Sequence, residues 1–292
     1  MVSHASLVRS SSHAAIEGTL PFHPAELAPA GGFMTSWLDP VCETLDAESS
    51  PVAFFLRDDD AGWEDDKLCR LLDLVTYFHV AIDVAAIPIA ISSSLAVELR
   101  AFLTARTPLV SVHQHGFAHA NHEPDGSSFE FGASRSHDQQ RQDLADGREQ
   151  LQNALGCALP PIFTPPWNRC TRETAECLVE LGFQVLSRDV SAEPFGLSPL
   201  HELPVRLDWC GRRGAWAGAV RWGETIAGTI ASGQPVGVML NHAVMTADDR
   251  HMLGDLLDVL ADHPNADVRP MLDVATASQS SREKDSDGPF AN

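Results

Sequence analysis

Four histidines lie within a ten-residue segment of this 292-residue chain: His113, His115, His119 and His122. Neutral imidazole is the commonest protein ligand for zinc and related ions, and two imidazoles four residues apart can reach one ion from a single turn. The segment follows an apolar run at residues 109–112, which is typical of a buried strand that ends in a functional loop. The spacing indicates a metal site rather than four unrelated surface or core histidines.

A run of three carboxylates, Asp58, Asp59 and Asp60, follows another apolar run at residues 52–56. Adjacent carboxylates repel one another unless a cation neutralises them, and Arg57 can offset only one charge. A solvated acidic start to the next helix would also explain the triplet. Together with the histidines, a mixed carboxylate and imidazole metal site explains it better. One carboxylate and two imidazoles leave positions open for water and substrate, which is the pattern of a catalytic site.

These residues need a scaffold, and the chain alternates apolar strands with amphipathic helices from about residue 52 to residue 275. Such alternation predicts a parallel sheet with right-handed crossovers, either open or closed into a barrel. In both cases functional residues gather at the carboxyl ends of the strands, and the acidic triplet, the histidines and His242 all follow predicted strands. The predicted strands span residues 52–56, 80–87, 109–112, 160–164, 183–186, 201–207, 235–240 and 268–271.

The composition describes a globular chain with ample core, since 44% of the residues are hydrophobic. A formal net charge of -20 argues against nucleic acid as a partner, because a phosphate backbone demands a basic surface. No apolar run approaches the roughly 20 residues of a membrane span, and the first residues lack the apolar core of a secretory signal. The six cysteines form no C-x-x-C pair, so we expect free thiols and a reducing, cytoplasmic location.

The two ends of the chain differ in composition from the middle. Residues 1–33 are rich in Ser, Ala, His and Pro without a period, which predicts a disordered N-terminal extension, and Met34 is an alternative start of translation. Residues 34–275 are predicted to form one domain. The polar residues 276–292 are predicted to be a flexible C-terminal tail.

The order and placement of these residues resemble the polysaccharide deacetylase family, also called the NodB-homology family, over roughly residues 52–275. That family ends its first strand in two aspartates, one a general base and the other a metal ligand. The resemblance implies Asp59 as the base and Asp60 as the ligand, since Leu56 then keeps the family's apolar strand position. The shifted alternative is Asp58 as base and Asp59 as ligand. The resemblance also implies an α/β fold, a distorted (β/α)7-type barrel with parallel strands.

The family's His-x-x-x-His motif is similar to the segment that contains His115 and His119. The resemblance therefore implies that these two residues and Asp60 bind a divalent metal, with zinc as the expected ion. His113 and His122 stand outside the motif. They are expected either to orient the ligands from outside or to face solvent.

Two further motifs of the family concern the acid and the base. Its late Leu-x-His motif resembles residues 240–242 and implies that His242 is the general acid. Its Arg-x-Pro motif, in which the arginine orients the base, is matched only in part, because residues 163–165 keep the proline and lack the arginine. Arg57 and Arg188 are the candidates to replace it.

The loop after the fourth predicted strand supplies Trp167 and Asn168. Trp167 is expected to stack on a sugar ring, with plain packing as the alternative, and Asn168 to bind a hydroxyl. The resemblance implies a metal-dependent hydrolase that removes an acetyl group from an N-acetylated sugar or oligosaccharide, with the metal polarising the acetamide carbonyl. In the cytoplasm the substrate would be a nucleotide sugar, a lipid-linked precursor or a short oligosaccharide.

Three other interpretations remain open. Another C–N amide hydrolase on the same fold would differ only in its substrate. A carbohydrate-binding pseudoenzyme would explain the missing arginine, but a binding protein does not need His242 as a general acid. A non-haem iron oxygenase uses the same set of two histidines and one carboxylate, but those sites usually lie in antiparallel folds.

Overall fold

Strands and helices alternate along the chain in the computed structural model, which describes residues 36–105, 109–211 and 219–286. The predicted N-terminal extension, residues 1–33, lies outside these ranges, as does Met34. The strands are β1 (Val52–Ala61), β2 (Ile82–Ala86), β3 (Val110–His115), β4 (Ile162–Thr164), β5 (Val185–Leu186), β6 (His201–Glu202), β7 (Leu207–Asp208), β8 (Val236–Leu240) and β9 (Ala266–Val268). The helices are α1 (Asp39–Ala47), α2 (Asp65–Tyr77), α3 (Ser93–Leu103), α4 (His137–Leu155), α5 (Arg172–Glu180), α6 (Ala219–Ile230), α7 (Ala247–Asp262) and α8 (Met271–Ser286). None of the helices within the described ranges is long and apolar enough to span a membrane.

The strand pairings among the described residues are parallel, in the order β6-β5-β4-β3-β2-β1-β8-β7, with β9 also beside β1. Residues 201–208 connect the two edges of this order, because His201 pairs with Val185 on β5 and Leu207 pairs with Val238 on β8. The sheet is therefore curled. The predicted α/β fold, a distorted barrel with parallel strands, is confirmed.

The single strand predicted at residues 201–207 is in fact two short strands. Val205 donates its backbone N–H to Arg188, just beyond β5, whereas Arg206 donates to Gly237 on β8. The chain thus changes partner strand between two adjacent residues. Pairing with distant strands sets this break, and the local apolar pattern does not reveal it.

The central strand β1 is longer than its apolar run. Phe54, Phe55 and Leu56 are fully buried, as expected for a parallel strand covered on both faces. The sequence placed the end of the strand at Leu56, but it continues through the acidic triplet to Ala61. The pairing with β8 ends at Asp58, but β1 still pairs with β2 at Ala61, so polar side chains do not end the strand.

Helix α8 runs from Met271 to Ser286, past the predicted end of the domain. Its first backbone N–H, from Met271, donates to Asp83 Oδ2 at 2.8 Å, which anchors the helix in the sheet. The residues that the sequence placed in a flexible tail, 276–292, therefore begin as helix, and those after Ser286 lie outside the described ranges. Their flexibility stays a prediction.

Candidate metal centre and its neighbouring acid–base groups

Asp60, His115 and His119 come together at the carboxyl ends of β1 and β3. The Nε2 atoms of both histidines lie 3.2 Å from Asp60 Oδ1, and one ligand atom from each residue lies within 4.8 Å of the others. Tetrahedral zinc with bonds of about 2.0–2.1 Å holds its ligand atoms about 3.3 Å apart. The donor set and its spacing therefore fit a divalent metal and leave coordination positions for water and substrate.

Unusual backbone geometry places two of these ligands. The register between β1 and β2 shifts between Asp58 and Ala61, which marks an irregularity that re-aims the side chain of Asp60. Asp60 has a φ of 72° and His119 a φ of 53°, in the left-handed region that non-glycine residues rarely adopt. Strained positions of this kind cluster at functional sites. Both residues belong to the set of Asp60, His115 and His119, which we call the metal group.

Hydrogen bonds from outside the group fix Asp60 and His115. Asn241 Nδ2 donates to Asp60 Oδ2 at 2.6 Å, so that Oδ1 faces the histidines. The Thr164 carbonyl accepts from His115 Nδ1 at 3.1 Å, which makes Nε2 the nitrogen available to a metal. Burial raises the pKa of Asp60, but hydrogen bonds to His115 and His119 outweigh it and hold that pKa well below its usual range. The carboxylate is therefore ionised, as a metal ligand must be.

Arg57 binds Asp59, which lies two residues later on the same face of β1. Its Nε lies 2.8 Å from Asp59 Oδ1 and its Nη2 lies 2.9 Å from Oδ2, and Arg57 is fully buried. Two parallel bonds of this kind are the strongest geometry between arginine and a carboxylate. Nη2 also donates to Asn168 Oδ1 at 2.7 Å. The other candidate to replace the missing arginine, Arg188, pairs instead with Glu202.

Asp58 points to the opposite face of β1 and pairs with His242. Asp58 Oδ2 lies 2.6 Å from His242 Nδ1, and Oδ1 accepts the backbone N–H of His242 at 3.0 Å. The buried ring donates from Nε2 to the Trp63 carbonyl at 2.7 Å. Burial lowers the pKa of His242, but the Asp58 carboxylate outweighs this and raises it to about 9. His242 therefore carries a proton at neutral pH, on a nitrogen that the Trp63 carbonyl covers.

The three aspartates of the triplet thus have three different partners. Asp60 joins the histidine pair, Asp59 binds Arg57, and Asp58 binds His242. The shifted assignment, with Asp58 as base and Asp59 as ligand, does not match the group that could hold a metal, which contains Asp60 and not Asp59. Which aspartate acts as the base stays a prediction.

Two tryptophans flank His119. The ring centroids of Trp63 and Trp167 lie 4.7 and 4.5 Å from that of His119, each edge to face. Their exposed fractions of 41% and 37% leave both indoles accessible to a ligand, and stacking of Trp167 on a sugar stays a prediction. Asn168 Oδ1 already accepts from Arg57, so only part of its side chain is left for the predicted contact with a hydroxyl.

Neither His113 nor His122 belongs to the metal group. His113 is fully buried with Nε2 2.8 Å from Thr164 Oγ1, and burial lowers its pKa well below the usual value, so the ring is neutral. His113 thus contacts the side chain of the same threonine whose carbonyl binds His115, and it supports that ligand through Thr164. His122 is exposed.

Three residues beside the site were not predicted from the sequence: Trp63, Asn241 and Glu130. The first two adjoin predicted residues, since Trp63 follows the acidic triplet closely and Asn241 precedes His242. Their position next to the motifs was the available signal. Glu130 lies in a polar loop, where no local pattern marks it.

No family model and no curated protein sequence matches this chain. Among solved structures, a candidate polysaccharide deacetylase from Mycobacterium smegmatis is similar over 80% of this chain and 92% of its own, with a TM-score of 0.63 and 16% identity. A CE4-family pseudoenzyme from Bacillus anthracis is similar over 78% of this chain and 66% of its own, with a TM-score of 0.51 and 12% identity. A mutant of that pseudoenzyme with restored enzymatic activity gives a TM-score of 0.51 at 14% identity, over 78% of this chain and 69% of its own. At these identities the likeness shows the fold, and the resemblance to polysaccharide deacetylases is confirmed at that level.

Proposed function

We propose that this protein is a metal-dependent hydrolase that removes the acetyl group from an N-acetylated sugar or oligosaccharide. The observation that carries the proposal is the convergence of Asp60, His115 and His119 at the carboxyl ends of β1 and β3. In parallel α/β barrels this edge is where catalytic groups gather. The fold shared with a candidate polysaccharide deacetylase supports the choice of reaction class.

Asp59 is the proposed general base. A divalent metal held by the three ligands, with zinc as the expected ion, would polarise the acyl carbonyl and lower the pKa of a water molecule to about 7. Asp59 accepts the proton of the attacking water. Arg57 keeps the Asp59 carboxylate in one orientation through its two bonds of 2.8 and 2.9 Å. The carboxylate therefore loses no side-chain rotational entropy when it accepts the proton.

His242 is the proposed general acid. With a pKa of about 9 it is protonated at neutral pH, and Asp58 stabilises the imidazolium from the Nδ1 side. As the C–N bond breaks, the proton on Nε2 goes to the nitrogen of the departing amine, and the acetyl group with the oxygen of the attacking water becomes acetate. Because the Trp63 carbonyl accepts this same proton at 2.7 Å, the transfer requires the backbone at Trp63 to move aside.

A carbohydrate-binding pseudoenzyme is the second candidate, and it draws support from the CE4-family pseudoenzyme of similar fold. The missing motif-three arginine was the main reason to consider it. Arg57 makes with Asp59 the contact that the resemblance assigns to that arginine, and Asp58 makes a second buried pair with His242. A protein that only binds sugar has no need of either pair, so we favour the hydrolase.

The experiment is to measure acetate release from N-acetylated mono- and oligosaccharides, with small amides and ureides assayed in parallel. Protein stripped with a chelator should be inactive, and added zinc should restore activity. Release from the amides or ureides alone would favour another C–N hydrolase on this fold. Binding of the oligosaccharides without acetate release in any metal state would favour the pseudoenzyme.

A further inference from the structure

Glu130 is a fully buried carboxylate that is bound by backbone amides instead of a cation. Its Oε2 accepts from Phe117 N at 3.0 Å, and its Oε1 accepts from Ala118 N at 2.6 Å and from Ala120 N at 3.5 Å. In the described parts of the chain, none of the ion pairs involves Glu130. A buried charge is costly unless hydrogen bonds satisfy it, and converging backbone N–H groups can satisfy an anion.

The amides that bind Glu130 belong to the loop that carries both histidine ligands. Phe117 and Ala118 lie between His115 and His119, and Ala120 follows directly. The Glu130 carboxylate therefore holds this loop from the inside, although Glu130 lies ten to thirteen positions after the residues that it binds.

The shape of the loop depends on the same carboxylate. Gly116 and His119 have φ values of 60° and 53°, both in the left-handed region. A Cβ atom at Gly116 would overlap Glu130 Oε2 and the Pro166 ring, so only glycine fits there. Because His119 adopts a conformation that non-glycine residues rarely take, its surroundings must impose it. The contacts of Glu130 on either side of His119, at Ala118 and Ala120, can do so.

We propose that Glu130 is a positioning residue that fixes this loop and thereby aims His119 Nε2 at the metal, an inference that rests on the metal site of the proposed function. Asp60 Oδ1 lies 3.2 Å from that nitrogen. If the loop relaxed, His119 would lose its alignment while His115, held by the strand and by Thr164, would keep its own. Loss of a residue that orients a ligand typically weakens metal binding by ~10–100-fold.

Glu130→Gln is the test, because it keeps the size of the side chain, removes the charge and turns one acceptor into an N–H donor that faces another donor. We expect the zinc dissociation constant of the full chain, measured by competition with a chelating dye, to rise ~10–100-fold. The visible absorption spectrum of the cobalt-substituted protein should change as well, because it reports ligand geometry.

Glu202→Gln is the matched control. Glu202 also accepts two backbone N–H groups, from Phe195 at 2.5 Å and Gly196 at 3.1 Å, in a loop that contributes nothing to the metal group. Unlike Glu130, it also pairs with Arg188, so the control is the more disruptive of the two changes. The zinc dissociation constant of the Glu202→Gln protein should stay within about threefold of wild type, well short of the ~10-fold minimum rise expected for Glu130→Gln.

A Glu130→Gln protein with the wild-type zinc affinity and cobalt spectrum would overturn the proposal. Equal weakening in Glu130→Gln and Glu202→Gln would overturn it too, because the effect would then be a general loss of stability. If Glu130→Gln fails to fold, Glu130→Asp decides: it keeps the charge but is one methylene too short, and unchanged affinity there would refute the positioning role. A wild-type protein that binds no zinc would refute the proposed function, and this inference with it.

Discussion

Arg57 and Asp59 form a two-bond ion pair within one strand, with N···O distances of 2.8 and 2.9 Å. Residues i and i+2 of a strand lie on the same face, so this pairing needs no other element. The motif that the sequence resembles would place the corresponding arginine two residues before Pro165, where Phe163 stands. The guanidinium that holds the proposed base is thus supplied by β1 itself rather than by β4.

Arg57→Lys tests whether Asp59 needs the two-bond geometry of arginine or only a nearby positive charge. Lysine keeps the positive charge but cannot make the two parallel bonds, so Asp59 loses its fixed orientation. We expect turnover to fall by about 10–10²-fold, with metal content unchanged, because the effect of a general base is typically worth ~10²–10⁴-fold. Arg188→Lys is the control, since Arg188 pairs with Glu202. Equal turnover in the two variants would count against Asp59 as the base.

The metal group can be tested without a substrate. Replacing His115 and His119 together with alanine leaves Asp60 as the single ligand of the group, so we expect the double variant to lose its metal. Mass spectrometry of the metal content should give one divalent ion per wild-type chain. His122→Ala, which removes an exposed imidazole from the same segment, should keep the full content. Full metal content in the double variant would rule out this site.

His242→Ala tests the proposed acid. We expect turnover per folded molecule to fall by ~10²–10⁴-fold while metal content stays the same. Because the change leaves Asp58 buried without its partner, it should also destabilise the protein by ~3–5 kcal/mol. Turnover and melting temperature therefore have to be measured on one preparation. If the lost rate merely tracked the lost folded protein, His242 would be a structural residue.

Asp83, on β2, links the stability of the fold to pH. Burial raises its pKa to about 6, although its Oδ2 accepts from Met271 N at 2.8 Å. Since its pKa is about 4 in an unfolded chain, the folded state binds the proton more tightly. Stability from this group is present below pH ~4 and is lost as the pH rises through about 6, by about 3 kcal/mol.

Asp83→Asn should therefore stabilise the protein at pH 7 by ~1–3 kcal/mol and flatten the pH dependence between about 4 and 6. The asparagine oxygen can still accept from Met271 N. Urea unfolding at pH 4 and pH 7 measures both effects. Asp138→Asn, an exposed change on the first turn of α4, is the control. The same free energy change at both pH values would show that the charge of Asp83 is not the cause.

The sequence by itself determined the fold class and the edge of the sheet where the site lies. Its apolar runs mark β1, β3 and β8. Carboxyl ends of parallel strands meet at one edge, so residues placed after those runs were expected to come together. Asp60, His115 and His119 do so.

The tertiary structure alone decided which partner each aspartate of the triplet has. Three identical side chains in a row carry no local signal that separates them. Alternation along β1 sends Asp58 to the opposite face from Asp59, and the irregularity before Ala61 turns Asp60 toward β3. The partners of these carboxylates include His242, which is 184 residues away from Asp58.

The partners of Asn241 and Glu130 could not be predicted from the sequence either. Periodic apolar residues encode burial over a few positions, which is why strands and helices can be predicted from short windows. The partner of a buried polar group depends on which distant segments fold against it, as Asn241 does against Asp60 and Glu130 against the loop at Phe117. That geometry exists only once the sheet has formed, because hydrogen bonds act over about 3 Å whatever the separation along the chain.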